Sequence, residues 1–226
     1  NKHAAFHRII HHGWKENLVR GLSPLWNTIP QSRSGYLSNK ARQLSRFSEG
    51  MKLSSKDRYW QWAGFAGKDE TLRMLHPDLR INMWLKDFVP RRKEILQNIP
   101  DKENINDILL TDMQLVLPND MLMKVDLMSM ANGLEVRVPF LDYEVVNFVF
   151  SLPGEYKINK NIRKRILQDT FRDILPRQLY KRPKKGFEVP LLKWFRAEMK
   201  SLITDDLLSE NFILHQGVFD YTEIAK

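Results

Sequence analysis

The chain has 226 residues, of which 42% are hydrophobic and 11% aromatic, and its 36 Lys plus Arg against 27 Asp plus Glu give a formal net charge of +9. That apolar content builds a core and excludes wholesale disorder, while no apolar run approaches the roughly 18 residues of a membrane span. Cys is absent, which excludes disulfides, thiolate zinc sites and cysteine nucleophiles and suits a reducing, cytoplasmic compartment.

The opening NKHAAFHRIIHHGW carries neither an initiator Met nor a signal-peptide pattern and reads as the inside of a larger protein. His3, His7 and His11 recur every four residues beside His12, which raises a metal hypothesis. No carboxylate completes a hydrolytic zinc motif, so no metal ligand is assigned. WKENLVRG reads as a helix capped by Gly21. In SNKARQLSRFSEG, Ser38 can cap a helix whose face is Leu37, Ala41, Leu44 and Phe47, ended by Gly50. SSKDRYWQWAGF opens with Ser54 three residues before Asp57, an acidic capping box, and its Trp pair is expected to pack between helices. KDETLRML ends before Pro77.

NMWLKDFVPRRKEILQNIP is helical but interrupted at Pro90. NINDILLTDMQLVL follows, and Pro118 starts a helix over about 119–132 with Met121, Leu122, Val125, Met128 and Ser129 on one face. The methionines Met113, Met121, Met123, Met128 and Met130 are expected to fill a core. Further helices are expected near 142–151, 161–174 and 190–203, the last with a buried stripe of Leu191, Phe195, Met199 and Leu202. The stretch 176–189, PRQLYKRPKKGFEV, has loop chemistry. No strand series and no repeat is visible, so the domain is mainly α-helical.

Charge falls at unusual places in KVDLMSMANGLEVRVPFLD. Lys124 and Asp126 diverge by about 200° on a helix, so one of them is expected to face the interior, where a charge needs a partner. Glu135 and Arg137 share a face of an extended segment, and Arg137 can hold Glu135 ionised as a general base or anchor. Asp142 is placed to cap the helix from 143. Residue types alone favour a structural ion pair bracing an apolar core over a reacting site.

LPNDMLMKVDLMSMANGLEVRVPFLD resembles the synthetase domain of glutamine-hydrolysing asparagine synthetases. LPGEYKI, KNIRKRILQDTF, ILP and RPKKGFEVPLLKWF are similar to that family's next elements, in the same order. The resemblance is strong over 105–200 and weak before it. It implies that residues 1–226 are the helical carboxy-terminal portion of an adenine-nucleotide α-hydrolase-like (ATP pyrophosphatase) synthetase domain. The family's Ser-Gly-Gly-x-Asp-Ser loop and its glutaminase domain are then expected ahead of Asn1.

The resemblance assigns catalytic roles to Glu135, as base or anchor for ammonia attack, and to Lys184, as stabiliser of the pyrophosphate leaving group. Lys124, Asp126, Arg137 and Asp142 match recurrent positions and are expected to support the site. Lys160, Arg163, Lys164 and Lys185 are candidates for the phosphates. The implied reaction adenylates aspartate with ATP and Mg²⁺, then amidates it with glutamine-derived ammonia; ATP and Mg²⁺ are bound mainly outside these residues. The resemblance leaves a homodimer open. Two other readings stand beside it. One is a relative amidating another carboxylate, such as a sugar acid, or closing a β-lactam. The other is a basic helical nucleic-acid-binding module, drawn from KNIRKR and KRPKK, which lacks interleaved aromatics.

Overall fold

Ser54 and Asn104 each start a helix, and each helix gives one residue, Tyr59 and Ile108, to the main apolar cluster. In the computed structural model, the described residues are 21, 36–64, 66–159, 162–181 and 190–225. The histidine cluster and, apart from Gly21, the first expected helix lie outside them. The chain divides into two units: residues 1–65 with 95–174, and residues 66–94 with 175–226.

In the first unit, helix α1 spans Tyr36–Gly50 and α2 Ser55–Ala63. The Ser54 hydroxyl accepts from the Asp57 amide and donates to the Asp57 carboxylate, so the capping residue is in place and the reciprocal half of the box is not. On α1 the expected apolar face is only partly buried. Ala41, Ser45 and Ser48 are buried while Leu44 is exposed. Close helix contact selects small side chains here, and the Ser48 hydroxyl is satisfied by Ser45 O at 2.9 Å. Trp62 packs between the helices as expected. Its ring stacks on Phe47 at 5.4 Å, its indole donates to Arg46 O, and a Cβ at Gly50 would overlap it.

Helix α6 spans Ile105–Gln114; between it and α2 the chain runs through the second unit, described below. Asn104 caps α6 by accepting from the amides of Asn106 and Asp107, and the Asp107 carboxylate accepts from the Asn104 amide. Tyr59, Leu96, Ile99 and Ile108 form the main apolar cluster, with Trp60, Ala63, Ile95 and Leu115 against it. Each fully buried side chain of this size stabilises by about 1.5–3 kcal/mol. Two polar ties cross the cluster. Arg58 pairs with Glu103 at 2.9 Å, both side chains buried, and the Tyr59 hydroxyl donates to the Asp112 carboxylate at 2.7 Å.

The rest of this unit is α7 (Met123–Met130), α8 (Tyr143–Ser151), α9 (Gly154–Lys157) and α10 (Arg165–Thr170). A hairpin of two short antiparallel strands, β1 (Ile158–Asn159) and β2 (Ile162–Arg163), precedes α10. It takes the first turns of the helix expected over 161–174.

The second unit holds α3 (Lys68–Met74), α4 (Pro77–Ile81) and α5 (Val89–Ile95, which runs into the first unit). It ends with α11 (Gln178–Lys181), α12 (Leu191–Arg196), α13 (Glu210–Gln216) and α14 (Tyr221–Ile224). Asn82–Phe88 is π-helical just before Pro90, which has no N–H to continue an α-helical ladder. Arg80 binds Leu75 O, Arg73 O and the Asp220 carboxylate, so it joins both ends of the unit's sequence. Hydrogen bonds from Thr222, with Arg80 beside it, hold the Asp220 carboxyl below its usual range. The helix expected over 190–203 is a correction: α12 stops at Arg196, and Leu191, Phe195 and Leu202 are exposed. Their helical spacing is real, but they are left exposed.

Burial raises the Asp112 carboxyl above its ordinary 3.8, partly offset by the Tyr59 hydrogen bond. The folded state therefore holds this proton more tightly than the unfolded chain, and the carboxylate costs stability as pH climbs from 3.8 through the raised value. Asp112→Asn removes the titration and keeps an acceptor for Tyr59. Its stability relative to the parent should rise across that window and level off above it, as urea unfolding at a series of pH values would record. A pH-independent difference, or one moving the other way, contradicts the burial of Asp112.

Candidate functional site

Glu135 owes its place to the way α7 ends. Leu117–Leu122 is a π-helical stretch begun by Pro118 and continuous with α7. At its end the Leu134 amide donates to Ser129 O at 2.9 Å and the Gly133 amide to Met130 O at 3.0 Å. That pair of bonds is a Schellman motif, and Gly133 takes its left-handed position at φ 65°. The backbone then leaves the helix in a fixed direction. Residues 134–138 belong to neither helix nor strand, and Val138 (φ −122°, ψ 75°) is kept from helical angles by Pro139. A 3₁₀ turn, Pro139–Leu141, follows, and the Asp142 carboxylate caps α8 by accepting from the Glu144 amide at 2.9 Å. Asp142 thus has the capping role its position suggested.

Within this frame Glu135 and Arg137 meet at 2.5 Å, as their shared face predicted. Their side chains are 70% and 85% exposed respectively, so the pair contributes about 0–1 kcal/mol. The expectation of an ion pair bracing an apolar core is corrected on that ground. The apolar neighbours do not form a core either: Leu134, Val136 and Val138 are exposed, and Phe140 is 68% exposed.

The interior charge expected of Lys124 or Asp126 is also absent. Both are exposed, and Lys124 pairs with Asp120 one turn back on the same face. Nor do the methionines of α7 fill a core, since Met121, Met123, Met128 and Met130 are exposed together with Val125 and Leu127. Apolar side chains surround α7, so one contact cannot bury them all.

Of the basic candidates, Arg163 ends β2 and Lys164 follows it; both side chains are exposed. Lys164 adopts φ 54°, ψ 40° at the start of α10, a left-handed backbone that costs a non-glycine residue about 1–2 kcal/mol. Nothing in its sequence neighbourhood signals that strain. Lys160, Lys184 and Lys185 lie outside the described residues. Among the described residues no three His, Asp or Glu side chains gather as ligands for an ion, and no helix is long and apolar enough to cross a membrane.

Sequence reasoning missed two residues that shape the site. Gly133 sits just past the periodic run of α7, which is a legible stop signal. Lys157, 7% exposed, had no such mark, because a lysine in GEYKI looks like an ordinary surface charge.

The chain belongs to the asparagine synthase family, which it matches over residues 6–226. It is similar to the glutamine-hydrolysing asparagine synthetase 1 of Bacillus subtilis, with 33% identity over 119 residues that cover 49% of this chain and 19% of that protein. A putative asparagine synthetase of Mycobacterium tuberculosis is 44% identical over 81 residues, 36% of this chain and 12% of that protein. The human asparagine synthetase is 43% identical over 68 residues, 29% of this chain and 12% of that protein. The matches thus span a fifth or less of these relatives' length. No solved structure matches the chain.

Gly133→Ala tests the cap. No heavy atom lies within 4 Å of the added Cβ, so the cost comes from the left-handed backbone alone and is about 1 kcal/mol. Chemical denaturation should show that loss, with Gly133→Asn losing less. An alanine variant as stable as the parent would mean the turn is not held as described.

Proposed function

We propose that the chain is the carboxy-terminal part of the synthetase domain of an ATP-dependent, glutamine-hydrolysing asparagine synthetase. The observation that carries this is the exposed Glu135 carboxylate, held beside Arg137 on a segment fixed by Gly133 and Asp142. The family match over 6–226 supports the same reading. In this proposal the unit completes an adenine-nucleotide α-hydrolase-like domain whose nucleotide loop and glutaminase partner belong to the longer cytoplasmic protein.

The reaction runs in two stages. An oxygen of the aspartate side-chain carboxylate attacks the α-phosphorus of ATP, the bond to the β-phosphate bridge breaks, and pyrophosphate leaves. Lys184 acts as a point cation on that departing charge, and Arg163 and Lys164, with Lys160 and Lys185, raise the local positive potential. Ammonia from glutamine then attacks the β-carbonyl carbon, the carbon–oxygen bond to AMP breaks, and asparagine and AMP separate. The attacking nitrogen must shed a proton, and the Glu135 carboxylate is the acceptor. Arg137 pairs with it directly and orients it. Lys124 and Asp126 support α7, and Asp142 supports α8. Mg²⁺, when bound with ATP, would supply phosphate screening.

Glu135→Gln in the full-length protein is the test. Asparagine formation should fall by about 10²–10⁴-fold, the usual contribution of a positioned general base, while the melting temperature barely moves because an exposed pair is lost. Retained synthesis with a large fall in melting temperature would return Glu135 to a structural role. AMP formation that depends on a carboxylate other than aspartate would refute the acceptor.

A further inference from the structure

Lys157 is the residue whose environment the proposed reaction leaves unexplained. The residue is 7% exposed, and no carboxylate pairs with its ammonium among the described residues. A buried charge without a counter-ion persists only where dipoles replace water around it. Here they come from three sides. Nζ donates to Asn106 Oδ1 at 2.5 Å and to Leu152 O at 3.2 Å, and it lies 5.0 Å from the centre of the Phe150 ring. Leu152 is the residue that ends α8, so the cation meets the negative end of that helix. Asn106 Nδ2 donates to the same carbonyl at 3.0 Å, which makes a three-membered clamp of Asn106, Leu152 and Lys157.

The topology of the clamp gives it consequence. Asn106 is on α6, and Leu152 comes 46 residues later. Between them run the π-helical stretch, α7, the Glu135 segment and α8. One end of this excursion is fixed by covalent continuity with α6, the other by the clamp. The middle carries Glu135 on exposed backbone, with little burial to restrain it. Gly154 lets the return path come close, because a Cβ there would overlap the Ile105 side chain. A closed loop of this length loses orientation at its centre when one end is released.

We infer that Lys157 is a positioning residue for Glu135: with Asn106 and Leu152 it closes the loop that presents the carboxylate. The role in turnover rests on the proposed reaction, but the clamp itself does not.

The test is Lys157→Met in the full-length protein, read by hydrogen exchange and by steady-state kinetics. Methionine keeps the apolar stem and removes the donors and the charge. Exchange at the hydrogen-bonded amides of Leu134, Leu141, Asp142, Glu144 and Val146 should quicken about tenfold or more, while α2 keeps its protection. Asparagine turnover should fall by about tenfold or more through kcat, with KM for ATP unchanged, as expected when a reacting group is misplaced rather than lost. Lys157→Arg should restore both, at least in part, by keeping a cation and donors. Equal loss of protection in α2, or no quickening at 134–146, overturns the inference. If the methionine variant does not fold, Asn106→Ala opens the same clamp with a smaller change, and unaltered exchange at 134–146 in that variant overturns it equally. Quickened exchange in a protein whose parent forms no aspartate-dependent AMP would uphold the clamp and refute the reaction.

Discussion

Two consecutive residues of α2 hold the two ends of α6: Arg58 pairs with Glu103 just before the helix, and Tyr59 bonds Asp112 near its close. The first tie is demanding because both its side chains are buried, and removing one partner of a buried ion pair costs about 3–5 kcal/mol. The other parts of the first unit take their position from this helix. The main apolar cluster packs on it through Ile108, the path to α7 leaves from its end, and α8 returns to it at Asn106. Glu135 therefore stands on a scaffold anchored far from it in sequence.

The two acid–guanidinium pairs of the unit show how burial separates their roles. Arg58–Glu103 is shielded and joins residues 45 apart. Glu135–Arg137 is exposed and joins residues two apart, so it stabilises the fold by about 0–1 kcal/mol at most. The pair gives so little structural return that the proposed function assigns its carboxylate, on a segment fixed by a left-handed glycine and a capping aspartate, to what it meets rather than to what it holds. The surrounding apolar side chains, exposed on α7 and from Leu134 to Phe140, reinforce the contrast.

Local chemistry was legible where one residue type answers one local need. Ser54 before α2, Asp142 before α8 and the π-helical stretch ahead of Pro90 follow from capping and from proline's missing N–H, and the Glu135–Arg137 contact joins residues two apart, as their spacing suggested. Burial was not legible in the same way. Helical spacing in Met121–Met130 and in Leu191–Leu202 indicates apolar faces, but not whether this unit contains anything to cover them. The hairpin at 158–163 was hidden by two-residue strands too short to alternate. Lys157 was hidden because only the fold brings Asn106 and Leu152 to it. The roles of Glu135 and Lys184 came from resemblance to a family, not from spacing, which by itself favoured a structural pair.

A structure of the full-length protein with a non-hydrolysable analogue of the β-aspartyl adenylate tests the central claim most directly. The account predicts a Glu135 carboxylate oxygen within about 3 Å of the point from which ammonia reaches the acyl carbon, with Arg137 on its far side and the Gly133 turn unchanged. A Glu135 side chain turned away from the acyl group, with another residue at that point, would contradict it.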